Sequence, residues 1–160
     1  LETIRERILG YKGIKKRFDI IGSNEGCVLI DDYGHHPTEI AATMASVKTY
    51  AGLKGLPEVT AIWQPHKYSR TLDNLEAFTH CFKGVDRLII LPVWAAGEAA
   101  RVIDFEEAFA AYDPLLVDGV RREGCALEVM KDGKMVQRLD RGLIVGFGAG
   151  DITYQLRGDI

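Results

Sequence analysis

Four short apolar runs punctuate this chain, and each ends in a polar or glycine-rich segment: Cys27-Val-Leu-Ile30, Val59-Thr-Ala-Ile-Trp63, residues 86–91 and residues 142–145. Runs that are apolar without strict alternation read as strands covered on both faces. Helical spacing follows the first three. Ile40, Ala41, Met44, Val47 and Ala51 support a helix from Pro37 as far as Gly52. Leu75, Phe78 and Phe82 share a face of a helix over 74–83, and residues 104–112 form another. Strand–loop–helix units in this order imply right-handed crossovers and a mainly parallel sheet. The fold class is therefore α/β, a mainly parallel sheet flanked by helices.

Three segments depart from that rhythm. Phe18-Asp-Ile-Ile21 reads as a short strand closed by the turn cluster at 22–26. Val129-Met-Lys-Asp-Gly-Lys-Met-Val136 carries Asp-Gly between strand-like runs, which signals a β-hairpin. Ile4, Ile8 and Leu9 space out a helix over 2–9 that stops at Gly10 and has no cap, as if it began inside something longer.

With 160 residues, 47% of them hydrophobic and 27% charged, the chain has the material for one buried core. The longest uncharged apolar run, residues 88–96, contains Pro92 and is far short of the roughly 20 residues of a membrane span. No membrane partner and no signal peptide are expected. The net charge of −3 is uneven, because Arg5, Arg7, Lys12, Lys15, Lys16 and Arg17 outnumber Glu2 and Glu6 in the first 17 residues. The acidic remainder argues against nucleic acid as a partner. Three cysteines without paired spacing, Cys27, Cys81 and Cys125, give neither a disulfide framework nor a zinc knuckle, and suit a reducing cytoplasm.

In an open parallel sheet, ligands bind beyond the carboxyl ends of the strands. Three polar loops fall there: Asp31-Asp-Tyr-Gly-His-His-Pro37, His66-Lys-Tyr-Ser-Arg-Thr71 and Ala95-Ala-Gly-Glu98. Each has a plain alternative. Asp31 and Asp32 can cap the next helix, His35 and His36 can be solvated imidazoles, and Arg70 can pair with Asp73. Together they bring cation and imidazole donors to face carboxylates, as a zwitterionic or phosphorylated ligand requires. Asp31, Asp32, His35, His36 and His66 are all plausible metal ligands, but no second close pair completes a recognised pattern, so no metal is expected on these residues. Gly146-Phe-Gly-Ala-Gly-Asp151 misses the dinucleotide fingerprint and reads as a strand-to-helix turn. A G-x-x-x-x-G-K-[ST] loop and a nucleophile elbow are both absent from the sequence.

The segments Asp31-Asp-Tyr-Gly-His-His-Pro-Thr-Glu-Ile40, Gln64-Pro-His-Lys-Tyr-Ser-Arg-Thr71, Ala95-Ala-Gly-Glu98 and Gly148-Ala-Gly-Asp-Ile152, with Lys16-Arg-Phe18 before them, resemble the C-terminal domain of the Mur ligase family. The His-x-Tyr-Ser-Arg-Thr loop points to the branch that joins L-alanine to UDP-N-acetylmuramate. The resemblance implies a Rossmann-like domain at 15–160, preceded at 1–14 by a linker or helix of a central domain. It implies a cytoplasmic ATP-dependent ligase of peptidoglycan synthesis working through an acyl phosphate. The UDP-sugar, the phosphate loop and the Mg2+ ligands would lie on N-terminal and central domains absent from this chain. By position, Arg17 and Asp32 would meet ATP, and Tyr33, His35, His66 and Arg70 would line the amino-acid site. None is a covalent catalyst, and this chain alone is expected to be inactive. Lys67 and Trp94 depart from the family pattern, as does the stretch 117–137. The alternatives are a tripeptide-accepting ligase of the same family, a stand-alone amino-acid or nucleotide-binding module, and a metal-dependent hydrolase.

Overall fold

The computed structural model describes residues 17–158. The helix expected over 2–9 and the boundary expected at 14/15 lie outside the described residues.

A six-stranded sheet forms the centre, in the order β1-β2-β9-β3-β4-β5. β2 (Cys27–Asp32), β9 (Gly142–Phe147), β3 (Val59–Trp63), β4 (Arg87–Ile90) and β5 (Leu115–Leu116) are mutually parallel, and β1 (Asp19–Ser23) adds an antiparallel edge. Every residue of β2, β3 and β9 is buried, as non-alternating apolar runs require. Their side chains still alternate between two cores, because successive residues of a strand point to opposite faces.

On one face Val28, Ile30, Ala61, Trp63, Leu88, Ile90, Val145 and Phe147 pack against helices. These are α1 (Pro37–Lys54), α2 (Tyr68–Asp73), α3 (Leu75–Cys81) and α4 (Phe105–Ala108), the last followed by a 3-10 turn at Ala110–Tyr112. Ile40, Met44, Val47 and Ala51 form the buried stripe of α1, whereas Ala41 is exposed. The helix runs past Gly52 to Lys54, because Gly55 supplies the left-handed stop: at φ 63° its N–H reaches the carbonyls of Ala51 and Gly52.

On the other face Cys27, Leu29, Ile62, Ile89 and Ile144 meet α5 (Ile152–Arg157) and a second, antiparallel sheet of β6 (Gly119–Glu123), β7 (Ala126–Lys131) and β8 (Lys134–Leu139). The hairpin signalled by Asp132-Gly133 is the β7–β8 turn. Both residues take positive φ, 51° and 73°. β6 places only Val120 fully in the core and carries no periodic signal in the sequence. Cys27 and Cys125 tie the two sheets, each thiol donating to the other's carbonyl at 3.2 and 3.3 Å. All three cysteines are free, and burial pushes the Cys27 and Cys81 thiols up to about 12.

Candidate functional site

Four loops meet at the carboxyl edge of the parallel strands. Gln64, just after β3, is the joint between two of them. Its backbone N–H reaches the Phe147 carbonyl at 2.9 Å. Its side-chain amide donates to Asp151 (2.5 Å) and accepts from Ile152 N (3.1 Å). A Cβ at Gly150 would lie 2.5 Å from Trp94 Cγ and 2.6 Å from Gln64 Oε1, so a side chain there would wedge the loops apart. The turn after β9 is thus the floor of the site, as expected of a strand-to-helix turn.

The loop after β3 is pinned to the loop after β4. Lys67 N donates to the Trp94 carbonyl, and Trp94 N to the Pro65 carbonyl, both at 2.8 Å. Glu98 accepts from Ser69 N at 3.1 Å and from the Ser69 hydroxyl in a very short contact. These bonds hold the Glu98 carboxyl below its ordinary range. The sequence assigns no role to Ser69 or Glu98, whereas Trp94 stands out in it as a departure from the family pattern. Their signal was the Ala95–Glu98 motif itself, whose partner lies 29 residues away.

Held this way, the segment enters α2 at Tyr68 rather than continuing as a loop to Thr71. One helical turn brings Arg70 back over His66, with Arg70 Nη1 2.9 Å from His66 Nδ1. Arginine only donates, so His66 Nδ1 accepts and its proton sits on Nε2. Burial first, then the charges of Arg70, His35 and Lys67, lower the His66 pKa against the opposing pull of Glu98. Arg70 therefore contacts His66 and not Asp73, and the imidazole is neutral.

The loop after β2 completes this side. The His35 ring lies 5.9 Å from that of His66 and 5.3 Å edge-on from Tyr33. Tyr33 is partly exposed, as is Trp94 across the loops. Tyr33, His35, His66 and Arg70 thus converge on the same sheet edge.

Arg17 and Asp32 occupy a separate cleft of about 360 Å³, bordered by Phe18 and by Ala42, Thr43 and Ser46 of α1. Asp32 is 4% exposed and accepts from Phe18 N (2.9 Å), Gly34 N (2.8 Å) and Thr43 Oγ1 (3.2 Å). It is therefore foremost a knot joining the chain before β1, the β2 loop and α1. Arg17 is largely exposed, 3.8 Å from the Glu39 carboxylate. Asp31 is turned away from both sites, bonded to Thr153 Oγ1 (2.6 Å) and paired with Arg157 (2.9 Å), which also holds Asp19.

Backbone strain concentrates here. Among the described residues, five non-glycine residues take positive φ, and Phe18 (44°), Lys67 (69°) and Ala96 (49°) lie in three of the motif segments. Such conformations cost of order 1–3 kcal/mol each and persist where the surroundings over-determine them.

Fold and site together describe a Rossmann-like α/β domain with a polar ligand edge. The chain belongs to the Mur ligase family: the model described as "Mur ligase, glutamate ligase domain" matches residues 16–139. It is 55% identical over 158 residues to a UDP-N-acetylmuramate–L-alanine ligase of Campylobacter curvus, covering 99% of this chain and 36% of that protein. It is 52% identical over 162 residues to the protein of that name from Helicobacter pylori strain ATCC 700392 / 26695, covering 100% and 36%. The chain thus spans about a third of the length of these relatives. The crystal structure of the UDP-N-acetylmuramate–alanine ligase of Thermotoga maritima shares the fold, with a TM-score of 0.64 and 21% identity over 95% of this chain and 30% of that one. No helix among the described residues is long and apolar enough to cross a membrane.

Proposed function

We propose that this chain is the C-terminal domain of a cytoplasmic ligase that joins L-alanine to UDP-N-acetylmuramate at the expense of ATP, in peptidoglycan synthesis. The observation that carries the reading is the convergence of Arg70, His66, His35 and Tyr33 on one sheet edge, in a chain more than half identical to a protein of that name.

In this reading Arg70 receives the alanine carboxylate. Its guanidinium offers donors in a fixed fork, and the contact with His66 uses only part of it. His66, neutral with its proton on Nε2, adds a donor without adding a charge. His35 and Tyr33 form the wall that confines the small side chain. These residues hold the amine toward the acyl carbon, and such orientation supplies several kcal/mol of a bimolecular barrier. The muramoyl carboxylate attacks the terminal phosphorus of ATP and ADP leaves. The alanine nitrogen then attacks the acyl phosphate, loses its proton, and inorganic phosphate departs. Arg17 is poised for the nucleotide, and Asp32 orders the backbone beside it on the ribose side of the cleft.

Mg2+ supplies charge neutralisation on the phosphates when bound. The carboxylates here do not suit it: Asp31 is paired with Arg157, Asp32 is committed to three donors, and the remaining cluster is rich in nitrogen. Its ligands are assigned to the central domain, which with the N-terminal domain is the partner of this chain.

Steady-state kinetics of the intact ligase test the reading. Arg70→Ala should raise KM for L-alanine while sparing KM for ATP, and an unchanged alanine dependence would refute the carboxylate role. Preference for a tripeptide acceptor over L-alanine would instead assign the recycling branch of the family. Tight alanine or ATP binding by this chain alone would assign a self-sufficient module.

A further inference from the structure

His35, His36 and Glu39 stand together where the β2 loop enters α1, and the reading above uses only the first of them. One donor atom from each lies within 4.8 Å of those of the other two. We propose that these three residues hold a single divalent cation of the zinc class at the margin of the amino-acid site, separate from the magnesium that serves ATP.

The placement is built into the backbone. His36 is the cap residue of α1, extended at φ −106° and ψ 148°, and its carbonyl accepts from Ile40 N at 3.0 Å. Pro37 fixes the next residue and Glu39 lies in the first helical turn, so the three side chains leave one short, rigid stretch. Tetrahedral zinc wants donors about 3–3.5 Å apart, given bonds of about 2.0–2.1 Å. The side chains that would turn to close that gap are all at least partly exposed.

Two further observations point to a cation. The His35 Nδ1–H donates to the Tyr33 carbonyl at 3.1 Å, which leaves Nε2 as its bare nitrogen. A carbonyl partner of this kind is how metal-bound imidazoles are commonly oriented. Glu39 Oε2 is shielded from solvent and accepts no hydrogen bond, and the Arg17 guanidinium meets its charge only at 3.8 Å. That guanidinium is 57% exposed and too far to donate a hydrogen bond, and a cation on the carboxylate would displace it.

The donor chemistry selects the ion. Two imidazoles and one carboxylate suit zinc, cobalt or nickel, whereas magnesium prefers oxygen. The helix N-terminus and Arg17 both oppose a cation here, so the ion binds reversibly. Since His35 also faces His66, an ion on it would exclude the amino acid. That consequence, unlike the cation site itself, rests on the function proposed above.

The test is calorimetric titration of the full-length protein with zinc in excess magnesium, repeated with cobalt and followed by visible absorption. The wild type should bind one equivalent that His36→Ala and Glu39→Gln each weaken by at least the roughly 10–100-fold expected for losing even an outer partner of a ligand. His36 is exposed, so its variant should fold normally, which circular dichroism checks. Equal zinc affinity and stoichiometry in the wild type and both variants would overturn the proposal, as would cobalt spectra unaltered by either change. Saturating L-alanine should weaken zinc binding in the wild type. Zinc binding indifferent to alanine, but lost in both variants, would leave the cation site standing and remove His35 from the amino-acid site.

Discussion

The two sheets of this domain are built on opposite plans. The parallel sheet hides whole strands between two cores and spends its polar residues at one edge, where loops from β2, β3, β4 and β9 meet. The β6–β8 sheet buries a single face, with Val120, Leu127 and Val129, and scatters its charges over the other as cross-strand pairs such as Arg121–Glu128 and Arg138–Glu123. Polar groups bonded loop to loop make a site, whereas polar groups bonded strand to strand make a solvated surface. Dense charge alone does not distinguish the two.

Substitutions can break that contrast, and the largest effect should come from the parallel sheet's core. Trp63 is fully buried among Phe78, Phe82, Phe105 and Phe109, with ring centroids 4.8 to 5.9 Å away. Trp63→Ala should lower unfolding free energy by about 3–5 kcal/mol in denaturant titrations. Next comes the edge itself. Arg70→Ala in the intact ligase should cost about 1.5–3 kcal/mol of transition-state binding, roughly 10–150-fold in kcat/KM for L-alanine, with little change in stability.

Glu98→Gln weakens the grip on Ser69 and should raise the KM for alanine more modestly, with the ATP dependence as internal control. A matching loss in both would show that Glu98 supports the fold at large. Smaller still is the effect of acid on His66. Folding lowers its pKa from an ordinary 6.5, so the unfolded chain takes up the proton first. Its stabilising contribution is complete above about 6.5 and fades as pH falls from there through the folded midpoint. Its NMR titration should be centred below 6.5 and move up in Arg70→Ala. Least of all, Arg138→Ala on the second sheet should leave the denaturation midpoint almost unchanged and the kinetics untouched. A kinetic defect there would end the contrast.

The same contrast governs what was legible in the sequence. Strands with two buried faces announce themselves as apolar runs, and the rule that ligands gather at their carboxyl ends then brings Tyr33, His35, His66 and Arg70 together. The Asp132-Gly133 turn was equally plain. β5 has only two residues and β6 one fully buried side chain, too little for any period to show. α2 was hidden because its residues, Tyr68-Ser-Arg-Thr-Leu-Asp73, are mostly polar and its start is set by bonds to residues 94 and 98. The knot at Asp32 is illegible in the sequence for a related reason, since two of its three donors, Phe18 and Thr43, are distant in sequence and lie on different segments.

The strand order carries a consequence for how the domain comes into being. Among the described residues β9 is the last strand in sequence, yet it sits between β2 and β3, which pair with each other only through it. A chain emerging from the ribosome therefore holds two bare strand edges until residue 147 has appeared. Long-range pairing of this kind slows folding and exposes edges to other chains meanwhile. A polypeptide halted before Gly142 would be a strong candidate for aggregation, and the turn after β9 that floors the ligand edge cannot be in place before then.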